Sequence, residues 1–449
     1  MGRITVKILG GRRLTVFVAV AGLMTFGFVG VTSSPGSASS VKLTNSEVGV
    51  TKSTIRIAVI ADVNDVYIPG FGTTTVDGVK AFAKFINSEG GLAGRKVVVD
   101  FYDGKLDPAT TRNDLIEACT KDFALVGSFS LAMSNVTPML QCKNRKGHKV
   151  GLPDLSALAV SPQEAASKVT YAISPDSYAK APNGNLLAGV GAFNYFATVN
   201  KTPLSGLHGT WIVPSNNPSS KAFELGTVQA LGQEGIKTDN TFEFTGAETE
   251  AAFGPVITSA QDSNSNVVVD TLPDTSFIAL RQEAATTPSY NPIWYCPGAI
   301  CYSQQFLAAG PVVNNTYTDT WFAPTEESSV VKGVKEYLNN IGSDPVDGFG
   351  EVAFAAGLVF RNAVQQVVKL DGPNGVTRAN LLSVLSKTGI TTADGMLAPT
   401  NIGARTPTDC LMLLQDQNDK WQQVYPAKAG TFNCSPSNIE TVTNPPSGS

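Results

Sequence analysis

The chain has 449 residues, more than one ordinary hydrophobic core accommodates, so at least two domains are expected. Hydrophobic residues make up 42% and charged residues 16%, which excludes a disordered chain and fits a globular protein with a sparsely charged surface. Net charge is −4, and residues 1–38 carry Arg3, Lys7, Arg12 and Arg13 with no acid, so the remainder stands at −8; a chain that acidic lacks the clustered Lys and Arg on which phosphate recognition rests, and no nucleic-acid partner is expected.

Residues 1–38 read as an export signal: a basic start, the apolar stretch LTVFVAVAGLMTFGFVGV, then small residues from Ser33 to Ser40, with cleavage expected after Ala38. The apolar run approaches spanning length, so an uncleaved anchor is the alternative, and Arg12-Arg13 leaves the twin-arginine route open. Residues 39–53 read as a flexible polar lead-in. TIRIAVIA, 54–61, suits a strand buried on both faces. In 76–88, Val76, Val79, Phe82, Ala83 and Ile86 fall at helical spacing, and Gly90-Gly91 ends the helix. A strand follows at 95–103. Asp107 and Pro108 then open a helix, as cap and first residue, with Leu115, Ile116 and Cys119 turned inward. A third strand is expected at 123–130, a helix from Met133 to Cys142, and strands in KVGLPDL and VTYAISP.

The alternation restarts after a helical stretch at 184–198. Strands are expected at 209–214, in TFEFTG, at 266–272 and in NPIWYC, and helices at 221–235, in AAFGPVITSAQDS and at 275–285. Two consecutive runs of this pattern predict an α/β protein with two Rossmann-like lobes, each a parallel sheet between helices. An apolar helix at 351–370, a helix in RANLLSVLSKTG and strands in CLMLLQDQ and KWQQVYPA tie the lobes together. The tail 435–449, rich in Ser, Pro, Thr and Asn, reads as disordered.

Six cysteines in an exported chain point to disulfides, and order alone allows fifteen pairings. Proximity favours Cys119 with Cys142, Cys296 with Cys301 and Cys410 with Cys434. No paired C-x-x-C is present, and only His148 and His208 add imidazole, so neither a metal nor another cofactor is expected. Two histidines leave little for acid–base chemistry, and neither a G-x-S-x-G elbow nor a P-loop occurs; the chain is not expected to be an enzyme.

Residues 76–115, VDGVKAFAKFINSEGGLAGRKVVVDFYDGKLDPATTRNDL, resemble the leucine/isoleucine/valine-type periplasmic binding proteins, the receptors of branched-chain amino acid ABC importers. Gly78, Ile86-Asn87, Gly90-Gly91, Gly94 and Asp107-Pro108 carry the likeness by their order and spacing. It continues through LVGSFS to Pro138 and returns in VVVDTLPDTSFIALRQEA, covering most of 54–420. The resemblance implies the type 1 periplasmic binding fold with a three-crossing hinge: lobe one from 54–183 and 345–400, lobe two from 184–344 and 401–434. It also implies a small-molecule ligand in the cleft, delivery to an ABC permease, and an exported location; a ligand-sensing ectodomain is the alternative.

Ligands in open parallel sheets sit beyond the carboxyl ends of the strands, near helix N-termini. Phe71 falls where the family places an aromatic residue on the ligand, although a loop residue capping the lobe core reads the same. Ser130, or Leu131 one residue along, falls where the family holds the ligand carboxylate; Ser130 also reads as a plain helix cap. Ser156 and Ala157 occupy the next loop, where backbone groups bind. Lobe two departs from the family: its acid for the ligand ammonium falls near Gly298, its aromatic near Ser219, and neither residue type is there. Asp274 and Asp270 are the nearest substitutes, or else solvated loop carboxylates. Trp294, Tyr295, Trp321 and Phe322 are candidate apolar walls. The expected ligand is a carboxylate or an apolar-bodied compound; an ordinary branched-chain amino acid is the alternative.

Overall fold

A computed structural model of the chain describes residues 41–65, 68–174 and 185–446. The expected export signal lies outside the described residues.

The first sheet grows around the apolar run read as its central strand. β1 (Thr54–Ala61) pairs in parallel with β2 (Lys96–Asp103) on one side and β3 (Ala124–Val126) on the other, and β3 carries β4 (Asp154–Leu155). Parallel neighbours need crossovers, supplied by α1 (Thr73–Ser88) and α2 (Pro108–Lys121). Asp107 caps α2 by accepting the Thr110 N–H at 2.7 Å, with Pro108 first in the helix. Two short helices, α3 (Thr137–Gln141) and α4 (Pro162–Ala166), flank β4.

Lobe two runs β5 (Leu186–Gly189), α5 (Gly191–Val199), β6 (His208–Pro214), α6 (Pro218–Gln233), β7 (Lys237–Phe244), α7 (Gly254–Asp262), β8 (Val267–Asp270), α8 (Asp274–Ala285), β9 (Ile293–Tyr295), α9 (Gln304–Leu307) and β10 (Thr316–Thr320). The chain returns to lobe one for α10 (Lys332–Ile341), α11 (Gly348–Asp371) and α12 (Arg378–Leu385), and α10 and α11 both pack on α1. After the antiparallel pair β11 (Ile390–Thr391) and β12 (Thr400–Asn401), it ends in lobe two with β13 (Cys410–Asp416), β14 (Trp421–Tyr425), β15 (Asn433–Cys434) and β16 (Ile439–Val442). The second sheet has the order β14-β13-β10-β9-β8-β6-β7; β10, β9, β8, β6 and β7 are parallel, and β13 and β14 antiparallel. This is the type 1 periplasmic binding fold.

The two faces of the second sheet belong to different cores. Trp294 joins the large core shared with α11, whereas its neighbour Tyr295 joins a second core with Phe193, Trp211, Leu231 and Leu411, as alternation along a strand requires. The three disulfides, Cys119–Cys142, Cys296–Cys301 and Cys410–Cys434, are those favoured by proximity.

Several expectations are corrected. The lead-in is not flexible over its described part, because buried polar groups fasten it. Glu47, 4% exposed, accepts the N–H groups of Val48 and Arg145 at 2.9 and 2.8 Å. Arg95, buried beneath it, donates to the Thr51 and Thr44 carbonyls at 2.7 and 3.1 Å. The tail is not disordered over its described part: β16 pairs antiparallel with β5, and Val442 is fully buried. That pairing also makes 186–189 a strand, so the helix expected over 184–198 starts only at Gly191. Residues 332–341 pack with lobe one, ahead of the expected boundary at 345. In lobe one the third strand is only 124–126, and the helix expected from Met133 begins at Thr137, with Pro138 in its first turn. VTYAISP contributes a single bridge, Asp154 to Thr170.

Candidate functional site

The loops beyond β1, β3 and β4 meet at one end of the first sheet, as expected, and a carboxylate of the chain itself gathers them. Asp62 follows β1 directly and is 1% exposed. One oxygen accepts the Leu106 N–H at 2.9 Å and the Ser130 hydroxyl at 3.1 Å; the other accepts the Leu131 N–H at 2.8 Å. Burial raises its pKa above the ordinary carboxylate range, and these hydrogen bonds act against that rise. The Ser130 hydroxyl and Leu131 N–H, the donors assigned by resemblance to a ligand carboxylate, are therefore taken up internally. Gly72 lets the following loop close on this corner, since a Cβ there would stand 2.9 Å from both Ala61 Cβ and the Asp62 nitrogen.

The neighbouring loop is likewise self-satisfied. Ser156 Oγ donates to both oxygens of Asp154 at 2.8 and 2.7 Å, the Ile173 N–H binds the Ser156 carbonyl, and the Ala157 N–H binds the Ser128 carbonyl. What lobe one presents to the cleft is mostly apolar, including Ile68, Leu131, Leu158 and Val160 beside three aromatic rings. Phe71, Phe129 and Phe349 form a triad with ring centroids 5.3, 5.4 and 4.8 Å apart, the last pair stacked.

A cavity of about 290 Å³ opens between this triad and lobe two. Phe71, Leu131 and Tyr295 line it; Ser130, Ser156, Ala157, Asp274 and Trp294 do not. Trp294 faces the other side of its sheet, with the Arg281 guanidinium 4.6 Å above its ring. Asp274 accepts the Ser303 hydroxyl at 2.6 Å at the start of α8. Asp270 is fully buried, accepting the Leu272 N–H at 2.9 Å and the Ser276 hydroxyl at 3.0 Å.

Lobe two brings in Gly298 and Trp321, both singled out in the sequence, and two residues that sequence reasoning passed over, Asp319 and Asn217. Gly298 lines the cavity at φ +67°, inside the loop closed by Cys296–Cys301. Asp319 arrives beside it from β10, accepting the Gly298 N–H at 2.8 Å and the Tyr295 hydroxyl at 2.6 Å. Burial raises the Asp319 pKa. Trp321 also lines the cavity, and its indole Nε1 is buried without a hydrogen-bond partner. Asn217 bridges the lobes: its amide nitrogen donates to the Leu131 carbonyl at 3.0 Å, while its oxygen caps α6 through the Ser220 N–H at 2.9 Å. Among the described residues lining the cavity, the charged ones are Glu224, Asp319 and Asp409, all acids. A polar residue directly before a helix-opening proline, as in Asn217-Pro218, was the available signal for the bridge; nothing local marked Asp319.

Two lobes built on largely parallel sheets and a lined cleft between them define a solute-binding protein, a class that works by enclosing a small molecule. The chain belongs to the periplasmic binding protein family, whose sequence profile matches residues 54–420. Among solved structures it is similar to a fatty acid ABC transporter substrate-binding protein from Thermomonospora curvata (17% identical, TM-score 0.65, covering 86% of this chain and 97% of that one). It is similar also to a Rhodopseudomonas palustris (R. palustris) ABC transporter solute-binding protein in complex with benzoate (13%, 0.63, 83% and 96%). A third is a branched chain amino acid ABC transporter protein from Thermus thermophilus with bound valine (12%, 0.66, 83% and 95%). At these identities the likeness is one of fold. No curated protein matches the chain.

Proposed function

We propose that the chain is the exported, non-enzymatic receptor of an ABC importer, and that its ligand is an uncharged molecule with a large apolar body. The observation that carries the ligand class is the cavity lining: aromatic walls, and acids as the charged groups among the described lining residues. A buried carboxylate ligand would face Glu224, Asp319 and Asp409 without a counter-cation, at a cost of several kcal/mol. The Ser130 and Leu131 donors that would hold it already hold Asp62. An uncharged ligand needs no counter-charge from the wall, and the Trp321 ring adds apolar surface to that wall. The permease partner follows from the family, and the three disulfides suit an oxidising compartment. Among the described residues no helix is long and apolar enough to cross a membrane.

A second reading, an amino-acid ligand, has Asp319 behind it, because this acid reaches the Gly298 loop where the resemblance places the ammonium partner. Calorimetric titration with 1-decanol, decanoate, decylamine and leucine separates the two. The alcohol should bind tightest, with decanoate at least about tenfold weaker, a difference of about 1.4 kcal/mol. Leucine, decanoate or decylamine binding more tightly than the alcohol would overturn the proposal.

A further inference from the structure

The cavity does not stop at the cleft. The α6 residues that line it, Ser220, Phe223, Thr227 and Leu231, are spaced to share one helix face. They lie along twelve residues, or about 16 Å of helix axis. The N-cap of this helix, Asn217, touches lobe one through the Leu131 carbonyl, so its later turns lead away from the cleft into lobe two. The same lining includes Phe193 and Trp211, 3% and 2% exposed, members of the second core whose rings stack 6.3 Å apart. A well-packed core leaves few voids larger than a water, yet the hollow's lining reaches past the cleft to Phe193, Trp211 and Leu231 of this core. Glu224, which lines the first turn of the stripe, is itself partnered.

We propose that this hollow is a tail site: a lane in lobe two that takes an unbranched alkyl chain lengthwise under α6, its polar head remaining near Asn217 and Trp321 and its end reaching Leu231. The proposal rests on the uncharged, apolar-bodied ligand argued above and specifies its shape. A lane is narrow and directional, so it selects by length, whereas a wide cleft selects by bulk. Each methylene that enters it leaves water, and affinity rises about fourfold per carbon until the lane is full.

Titration of the full chain with 1-alkanols from hexanol to tetradecanol tests this. The dissociation constant should fall about fourfold per carbon and then level off. Thr227→Phe, placed midway, should bring the levelling to a chain several carbons shorter and weaken tetradecanol far more than hexanol. Affinity that ignores chain length in the unaltered protein overturns the lane but leaves the uncharged-ligand reading standing. Equal weakening of short and long alkanols by Thr227→Phe overturns the lane in the same way. Should Thr227→Phe fail to fold, the unaltered length series decides alone. If no alkanol binds while decanoate or leucine does, the ligand reading falls and the lane with it.

Discussion

Asp62 shows how one side chain changes what a scaffold can recognise. Its carboxylate engages donors that the resemblance assigned to a ligand, holding the Ser130 hydroxyl and the N–H groups of Leu106 and Leu131. Asp62→Ala strands these buried donors, and an unsatisfied buried group costs about 1–3 kcal/mol. We expect a loss of about 3 kcal/mol in urea unfolding, part of it restored by acetate, which can enter the vacated position, and not by chloride. A loss below about 1 kcal/mol without acetate rescue would show that Asp62 does not hold this corner. The sequence singled out Phe71 and Leu131 by resemblance and Tyr295 as a candidate apolar wall, and all three line the cavity. It could not show that Ser130 and Ser156 are engaged within the chain, because their partners, Asp62 and Asp154, declare themselves only once the loops are side by side. Trp294 and Tyr295 were equivalent as letters; the pleat of β9 sends one to each core.

At the level of elements, apolar runs were legible and polar ones were not. β1, β6 and β8 were read within a few residues, since each is a continuous buried run. β10, TYTDT, was missed: its buried residues are Thr316, Thr318 and Thr320, each with its hydroxyl on a main-chain carbonyl, at 2.6, 2.6 and 2.8 Å. Such a strand is stabilised by satisfied hydroxyls, which carry no hydropathy signal. The tail was misread for a related reason, because its polar residues are partners rather than solvent-facing. Asn438, 4% exposed, donates to the carbonyls of Asp409 and Asn433 at 2.8 and 3.2 Å, and its own carbonyl accepts the Val190 N–H. Asn438 and Ile439 both line the cavity, so this segment is part of its wall. Asn438→Ala should therefore cost about 1–3 kcal/mol and, in hydrogen exchange, release β5 and β16 before the first sheet. Uniform loss of protection across both lobes would contradict that assignment.

For the molecule as a whole, buried carboxyls set how stability responds to pH. Burial pushes Asp154 and Asp347 up to about 6 and Asp270 up to about 7. A folded pKa above the unfolded one means that the native state holds the proton more tightly, so this stability is complete below about pH 4 and is lost as the pH rises to about 7. Asp103, Asp107, Asp239 and Glu248 are shifted the other way by hydrogen bonds to their charged forms, and their contribution is lost in acid. Urea midpoints should accordingly peak near about pH 5 and fall toward pH 8, with Asp270→Asn flattening the decline; a midpoint that climbs steadily to pH 8 would contradict this. The disulfides act at the same scale through their order. Cys119 joins Cys142, Cys296 joins Cys301 and Cys410 joins Cys434, so every bond links a cysteine to the next one along the chain. A polypeptide emerging N-terminus first thus meets its correct partner as the very next thiol. Oxidation in step with emergence leads directly to the native set, and reshuffling is not required at any stage.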